Sequence, residues 1–131
     1  VLVGDRATIA EAHRWRKMFG GGMRQAGMLA AGGLYALENN IGRLTEDHAR
    51  AGRLAEAVDE MAAYSVDLGA VQSNMVYVDC AEGGANDLVD SLAGQGIDVL
   101  DLSDSTVRAV IHLHITEEDI DRAIDAFAKS Q

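Results

Sequence analysis

The ten residues Thr106 to Ile115 constrain this chain most. Val107, Ala109, Ile111 and Leu113 alternate with Arg108, Val110, His112 and His114, the period of two that sets one row of side chains on a buried sheet face and the other outside. Thr116-Glu117-Glu118-Asp119 then supplies a hydroxyl cap and first-turn carboxylates, and Ile120, Ala123, Ile124 and Phe127 follow at helical spacing. A strand feeding an amphipathic helix is therefore expected to close the sequence. Upstream, Val71 to Val78 reads as a strand, Asp87 to Ala93 as a short helix and Ile97 to Leu102 as a short strand. The second half thus reads βαββα, an open α+β layer with helices on one face.

The first half reads as helical. Thr8-Ile9-Ala10-Glu11 has capping-box spacing, which predicts a helix from about Ile9 to Phe19 that ends at Gly20-Gly21-Gly22. Met23 to Glu38, rich in Ala, Leu, Met and Gly, reads as a helix buried on most sides. Gly27, Gly32 and Gly33 would be compensated there by close backbone packing. Thr45 is the expected cap of a long helix with Glu46 and Asp47 in its first turn, and its core face would be Ala51, Leu54, Ala55, Val58, Met61 and Ala62. The opening Val1-Leu2-Val3 looks like part of a buried strand with no local partner, so a longer parent chain is expected.

Charge narrows the function classes. Against 21 Asp and Glu stand 11 Lys and Arg, a formal net of -10, which argues against a general nucleic-acid-backbone binder or a basic membrane-surface helix. No apolar run approaches the about 18 residues of a membrane span, and an acidic cytoplasmic protein is expected. The single cysteine, Cys80, cannot form an intramolecular disulfide, and beside Asp79 and Glu82 it is expected to be a poor nucleophile.

Two places could carry chemistry. Gly20-Gly21-Gly22-Met23-Arg24-Gln25 could expose backbone N–H groups to an anion, with Lys17 and Arg24 adding charge, though the Gly-Lys-Ser/Thr ending of a P-loop is absent; a simple turn between helices is the alternative. Arg108 shares the outer strand face with His112, and a fixed guanidinium there could bind a carboxylate through two parallel hydrogen bonds. The alternative is an arginine on a solvated sheet surface. His13, His48, His112 and His114 lack metal-ligand spacing, and no metal site is expected.

The run Arg14-Trp15-Arg16-Lys17-Met18-Phe19-Gly20-Gly21-Gly22-Met23-Arg24-Gln25-Ala26-Gly27, with Leu29-Ala30-Ala31 and Arg43-Leu44-Thr45-Glu46-Asp47-His48-Ala49 after it, closely resembles the carboxy-terminal part of the low-specificity L-threonine aldolases. Ser73-Asn74-Met75-Val76 and Val107 to Leu113 are similar to that family's small-domain strands. The resemblance implies a pyridoxal-phosphate enzyme of the aspartate-aminotransferase fold type that cleaves L-threonine or L-allo-threonine to glycine and acetaldehyde. It implies an α/β segment. Residues 1–45 would be the edge of the large cofactor-binding domain, 46–66 a linking helix, and 67–131 a small α+β domain with a mostly antiparallel sheet. Arg108 matches the family's arginine for the substrate α-carboxylate. Lys17 and Arg24 match basic residues near the cofactor phosphate, reaching across from a neighbouring subunit of a homotetramer. The lysine that carries the cofactor would precede Val1, so no catalytic residue is assigned here and the segment alone is expected to be inactive. His112-Leu113-His114 departs from the family's more usual His-x-Asp. Two other readings stay open: a non-catalytic α+β binding or interaction module, and another lyase or aminotransferase of the same fold type.

Overall fold

The computed structural model describes residues 1–131 in the order α1 (Arg6–Met18), α2 (Gly27–Asn39), α3 (Leu44–Asp59), β1 (Met75–Asp79), α4 (Ala85–Ala93), β2 (Leu100–Ser103), β3 (Thr106–Val110) and α5 (Glu117–Lys129), with a 3-10 turn at Leu68–Ala70. The chain divides into two compact units, Val1–Gly42 and Arg43–Gln131.

In the first unit, α1 starts three residues before its expected position. Asp5, with extended backbone (φ -67°, ψ 166°), is the cap and accepts from the Ala7 and Thr8 amides. Thr8 instead lies within the first turn and donates its hydroxyl to Asp5 at 2.9 Å. An Asp and a Thr three residues apart compete for this role, and the carboxylate, which accepts several N–H bonds at once, takes it. Val1-Leu2-Val3 forms no strand and is exposed, because a strand needs a laddered partner and no segment here supplies one. Helix α2 begins at Gly27, not Met23, and buries none of its residues. A Cβ at Gly27, Gly32 or Gly33 would meet nothing within 4 Å, so the close packing expected at these glycines is not made within this chain.

The second unit holds the core. Helix α3 begins at Leu44 with Arg43 at the cap position, so Thr45 falls inside its first turn. Its buried face, Ala51, Leu54, Ala55 and Val58, packs on β1 and α5, and the helix expected as a link belongs to this unit. Met61 is only partly buried and Ala62 is exposed, both beyond the helix end. Arg50 and Arg53 of α3 reach Glu117 and Asp121 of α5, with Arg50 Nε 2.8 Å from Glu117. The strands form one antiparallel sheet in the order β1-β3-β2. Val76 and Val78 of β1 and Val107 and Ala109 of β3 face the helices, where they meet Leu88, Leu92, Ile120 and Phe127 in one cluster. The βαββα order and the single covered face agree with the sequence reading. So does the last cap: Thr116 accepts from the Asp119 amide while Asp119 accepts from the Thr116 amide.

Asp47 is the one buried charge, and Arg43 holds it through two bonds of 2.9 and 2.8 Å. Those bonds, more than the opposing effect of burial, keep its carboxyl below the ordinary carboxylate range. The stabilisation is therefore present above the unfolded-state pKa and is lost as pH falls through the lowered folded value. The urea midpoint is expected to hold between about pH 7 and 5 and to fall below about pH 4, and Asp47→Asn should flatten part of that fall. A midpoint rising in acid would contradict it.

Candidate functional site

Strand β3 is the middle strand, which gives Arg108 a neighbour on both sides: Tyr77 of β1 and Leu100 of β2 are its register partners. Opposite residues of antiparallel strands project from the same face, and alternation places Met75, Tyr77, Arg108 and Val110 together on the side away from the helices. Met75, Tyr77, Leu100 and Val110 are all partly exposed. The immediate neighbours of Arg108 on the outer face are therefore apolar, unlike the polar surface that antiparallel sheets commonly present, with the Asp79–Thr106 pair the polar group beside them.

Arg108 has no ion pair, although the chain carries 21 acidic residues. The carboxylate two positions along β1, Asp79, accepts a 2.6 Å bond from the Thr106 hydroxyl, its own register partner. The Arg108 Nε is buried with no hydrogen-bond partner. A buried donor left unpaired costs about 1–3 kcal/mol.

Strand β3 stops at Val110, so His112 and His114 do not share a strand face with Arg108 as the alternation suggested. The stop has a local cause. The partner strand starts at Met75, and Asn74 closes the ladder by accepting from the Ile111 amide and donating its side-chain amide to the Ile111 carbonyl at 2.7 Å. Leu113 is consequently half exposed rather than in the core. His112 lies at the edge of a cavity of about 300 Å³ with Ile111, Ile115 and Phe127, and its Nδ1 accepts from the His114 amide. No group of three or more His, Cys, Asp or Glu is arranged to hold a metal ion. The Cys80 thiol donates to the Ser105 carbonyl and is pushed up by burial and then by Asp79.

In the other unit, the glycine turn differs from its expected use. The Gly20 and Gly21 amides donate to the Lys17 and Arg16 carbonyls, and Gly20 adopts φ +81°. These groups terminate α1, as glycine commonly does, so they are not presented to an anion. Gly22 is different: a Cβ there would sit 2.6 Å from Lys17 Cδ and 3.3 Å from Nζ, so the lysine side chain lies directly over this glycine. Lys17 and Arg24 also have no carboxylate partner. Arg24 stands in the turn before α2, whose cap position, Ala26, offers no side-chain acceptor, and the first amides and dipole of that helix favour negative charge.

Sequence reasoning does not single out Tyr77 or Leu100. The inward row of Val76 and Val78 places Tyr77 on the outer face, but its position opposite Arg108 follows only from strand register.

Residues 1–81 match the beta-eliminating lyase family, and the chain belongs to it. Among its relatives, a low specificity L-threonine aldolase of Escherichia coli is 43% identical over 120 residues, covering 92% of this chain and 34% of that protein. Low-specificity L-threonine aldolase 1 of Arabidopsis thaliana is 37% identical over 133 residues, covering 99% of this chain and 37% of its own. The chain thus spans about a third of the length of the curated relatives it matches. A crystal structure of the cysteine desulfurase CsdA from Escherichia coli superposes with a TM-score of 0.61 at 18% identity, covering 73% of this chain and 27% of that one. That likeness is one of fold. No helix is long and apolar enough to cross a membrane.

Proposed function

We propose that this sequence forms the carboxy-terminal part of a pyridoxal-phosphate-dependent aldolase that cleaves L-threonine or L-allo-threonine to glycine and acetaldehyde. Val1–Gly42 would belong to the edge of the large cofactor-binding domain and Arg43–Gln131 would be the small domain. The observation that carries the reading is Arg108: a guanidinium among apolar neighbours on the outer sheet face, without a carboxylate of its own and with a buried unpartnered Nε, in a chain 43% identical to a threonine aldolase. It would donate paired charge-assisted bonds to the substrate α-carboxylate and fix the amino acid's orientation.

The residues present suit a phosphate-bearing cofactor. Lys17, lying over Gly22 at the end of α1, and Arg24, ahead of the uncapped α2, are cations without a carboxylate partner, and they would hold the phosphate across a subunit boundary of a homotetramer. The cofactor, when bound, supplies an electron sink for the electron pair of the broken Cα–Cβ bond.

Because the family also includes eliminating enzymes, the product decides the reaction. Full-length protein incubated with pyridoxal phosphate and L-threonine or L-allo-threonine should release glycine and acetaldehyde in equal amounts. Formation of 2-oxobutanoate and ammonia would instead assign elimination, and no turnover of either amino acid would overturn the proposal. Lys17→Ala and Arg24→Ala should each speed loss of pyridoxal phosphate on dialysis. Retention unchanged in both would remove their phosphate role.

A further inference from the structure

We propose that Tyr77 and Leu100 are positioning residues for Arg108, two side walls that hold its guanidinium in the one orientation that receives the substrate carboxylate. The inference rests on the assignment of Arg108 as the carboxylate binder and adds how that side chain is aimed.

An arginine has a long, flexible stem and loses rotamer freedom when it must present its planar fork in one geometry. Arg108 has no acceptor in the chain to aim it: no carboxylate pairs with it, and its buried Nε makes no hydrogen bond. What surrounds it laterally is apolar bulk. Tyr77 and Leu100 stand in register with it on the two flanking strands, where directly opposed Cβ atoms lie about 4.5–5.5 Å apart. An aromatic ring on one side and a branched aliphatic chain on the other are thereby placed to confine the stem. Thr106 completes the arrangement by engaging Asp79, the outer-face carboxylate placed to draw the guanidinium sideways.

Tyr77 acts through its ring. The only bond its hydroxyl makes is a 3.5 Å contact to the Met75 sulfur, and the residue is 42% exposed while its neighbours Val76 and Val78 are fully buried. Removing the ring should therefore leave the core intact, and removing only the hydroxyl should change little.

The test is a set of variants in the full-length enzyme, read by KM and kcat toward L-threonine, with urea midpoints as the fold control. Tyr77→Ala should raise KM about tenfold, the effect of about one charge-assisted bond misaligned, with kcat changed less than about twofold and the urea midpoint near wild type. Tyr77→Phe should restore the wild-type KM, and Leu100→Ala should shift KM in the same direction as Tyr77→Ala. In an Arg108→Ala background, Tyr77→Ala should have no further effect on KM, as coupled residues require. A Tyr77→Ala enzyme with unchanged KM, or one whose loss persists undiminished without Arg108, overturns the positioning role while leaving Arg108 in place. If Arg108→Ala itself leaves KM unchanged, the carboxylate assignment falls, and this inference falls with it.

Discussion

Arg108→Ala in the full-length enzyme is expected to lower kcat/KM for L-threonine by about a hundredfold and to leave the visible absorbance of bound pyridoxal phosphate nearly unchanged. Two parallel bonds from a guanidinium to a carboxylate contribute about 1.5–3 kcal/mol each, and a net loss of about 3 kcal/mol corresponds to roughly two orders of magnitude in rate. The loss should fall mainly on KM, because the carboxylate does not change charge during cleavage and is bound alike in ground and transition states. Arg108→Lys should recover only part of it: an ammonium keeps the charge but not the planar fork. An unaltered kcat/KM in Arg108→Ala would remove Arg108 from the substrate site.

The second large effect is on stability. Phe127 is fully buried, its ring meets Tyr64 edge-on at 5.6 Å, and its backbone carbonyl and that of Ser130 accept from the Tyr64 hydroxyl. It joins α5 to Leu54 and Val58 of α3 in the one hydrophobic cluster. Phe127→Ala removes the whole ring from a fully buried position, which costs about 3–5 kcal/mol, a large part of the roughly 5–15 kcal/mol that stabilises a domain. Urea unfolding followed by circular dichroism should show the midpoint fall accordingly. A change below about 1 kcal/mol would contradict the packing described here.

The parts of the fold legible in advance share a local cause. Thr116 and Asp119 meet within one turn, so their reciprocal bonds are present in the sequence before any tertiary contact forms. The inward rows of Val107, Ala109 and Ile111, and of Ala51, Leu54, Ala55 and Val58, likewise repeat at the period of their own element. Where two capping residues lie close together, as at Asp5 and Thr8, the local sequence leaves the cap undecided and the backbone geometry selects Asp5. The helix at Met23 to Glu38 shows a different limit: an apolar composition indicates that a surface can be buried, not what buries it, and within this chain α2 remains exposed.

For the candidate site the division is similar. Sequence singled out Arg108, Lys17 and Arg24, and their residue types suit anions wherever they stand. It did not indicate that the amides of Gly20 and Gly21 are consumed in closing α1, nor that Lys17 covers Gly22, since both depend on the turn's backbone angles.

Taken alone, then, the sequence determined the kinds of elements, their βαββα order and the family, because periodicity, capping chemistry and a motif such as Arg14 to Gly27 are all properties of contiguous residues. The tertiary structure alone decided where β3 ends and which side chains flank Arg108. Those outcomes depend on the register of Met75–Asp79 and Leu100–Ser103 against Thr106–Val110, and register is settled by how separate segments bury their apolar rows together, not by any one of them.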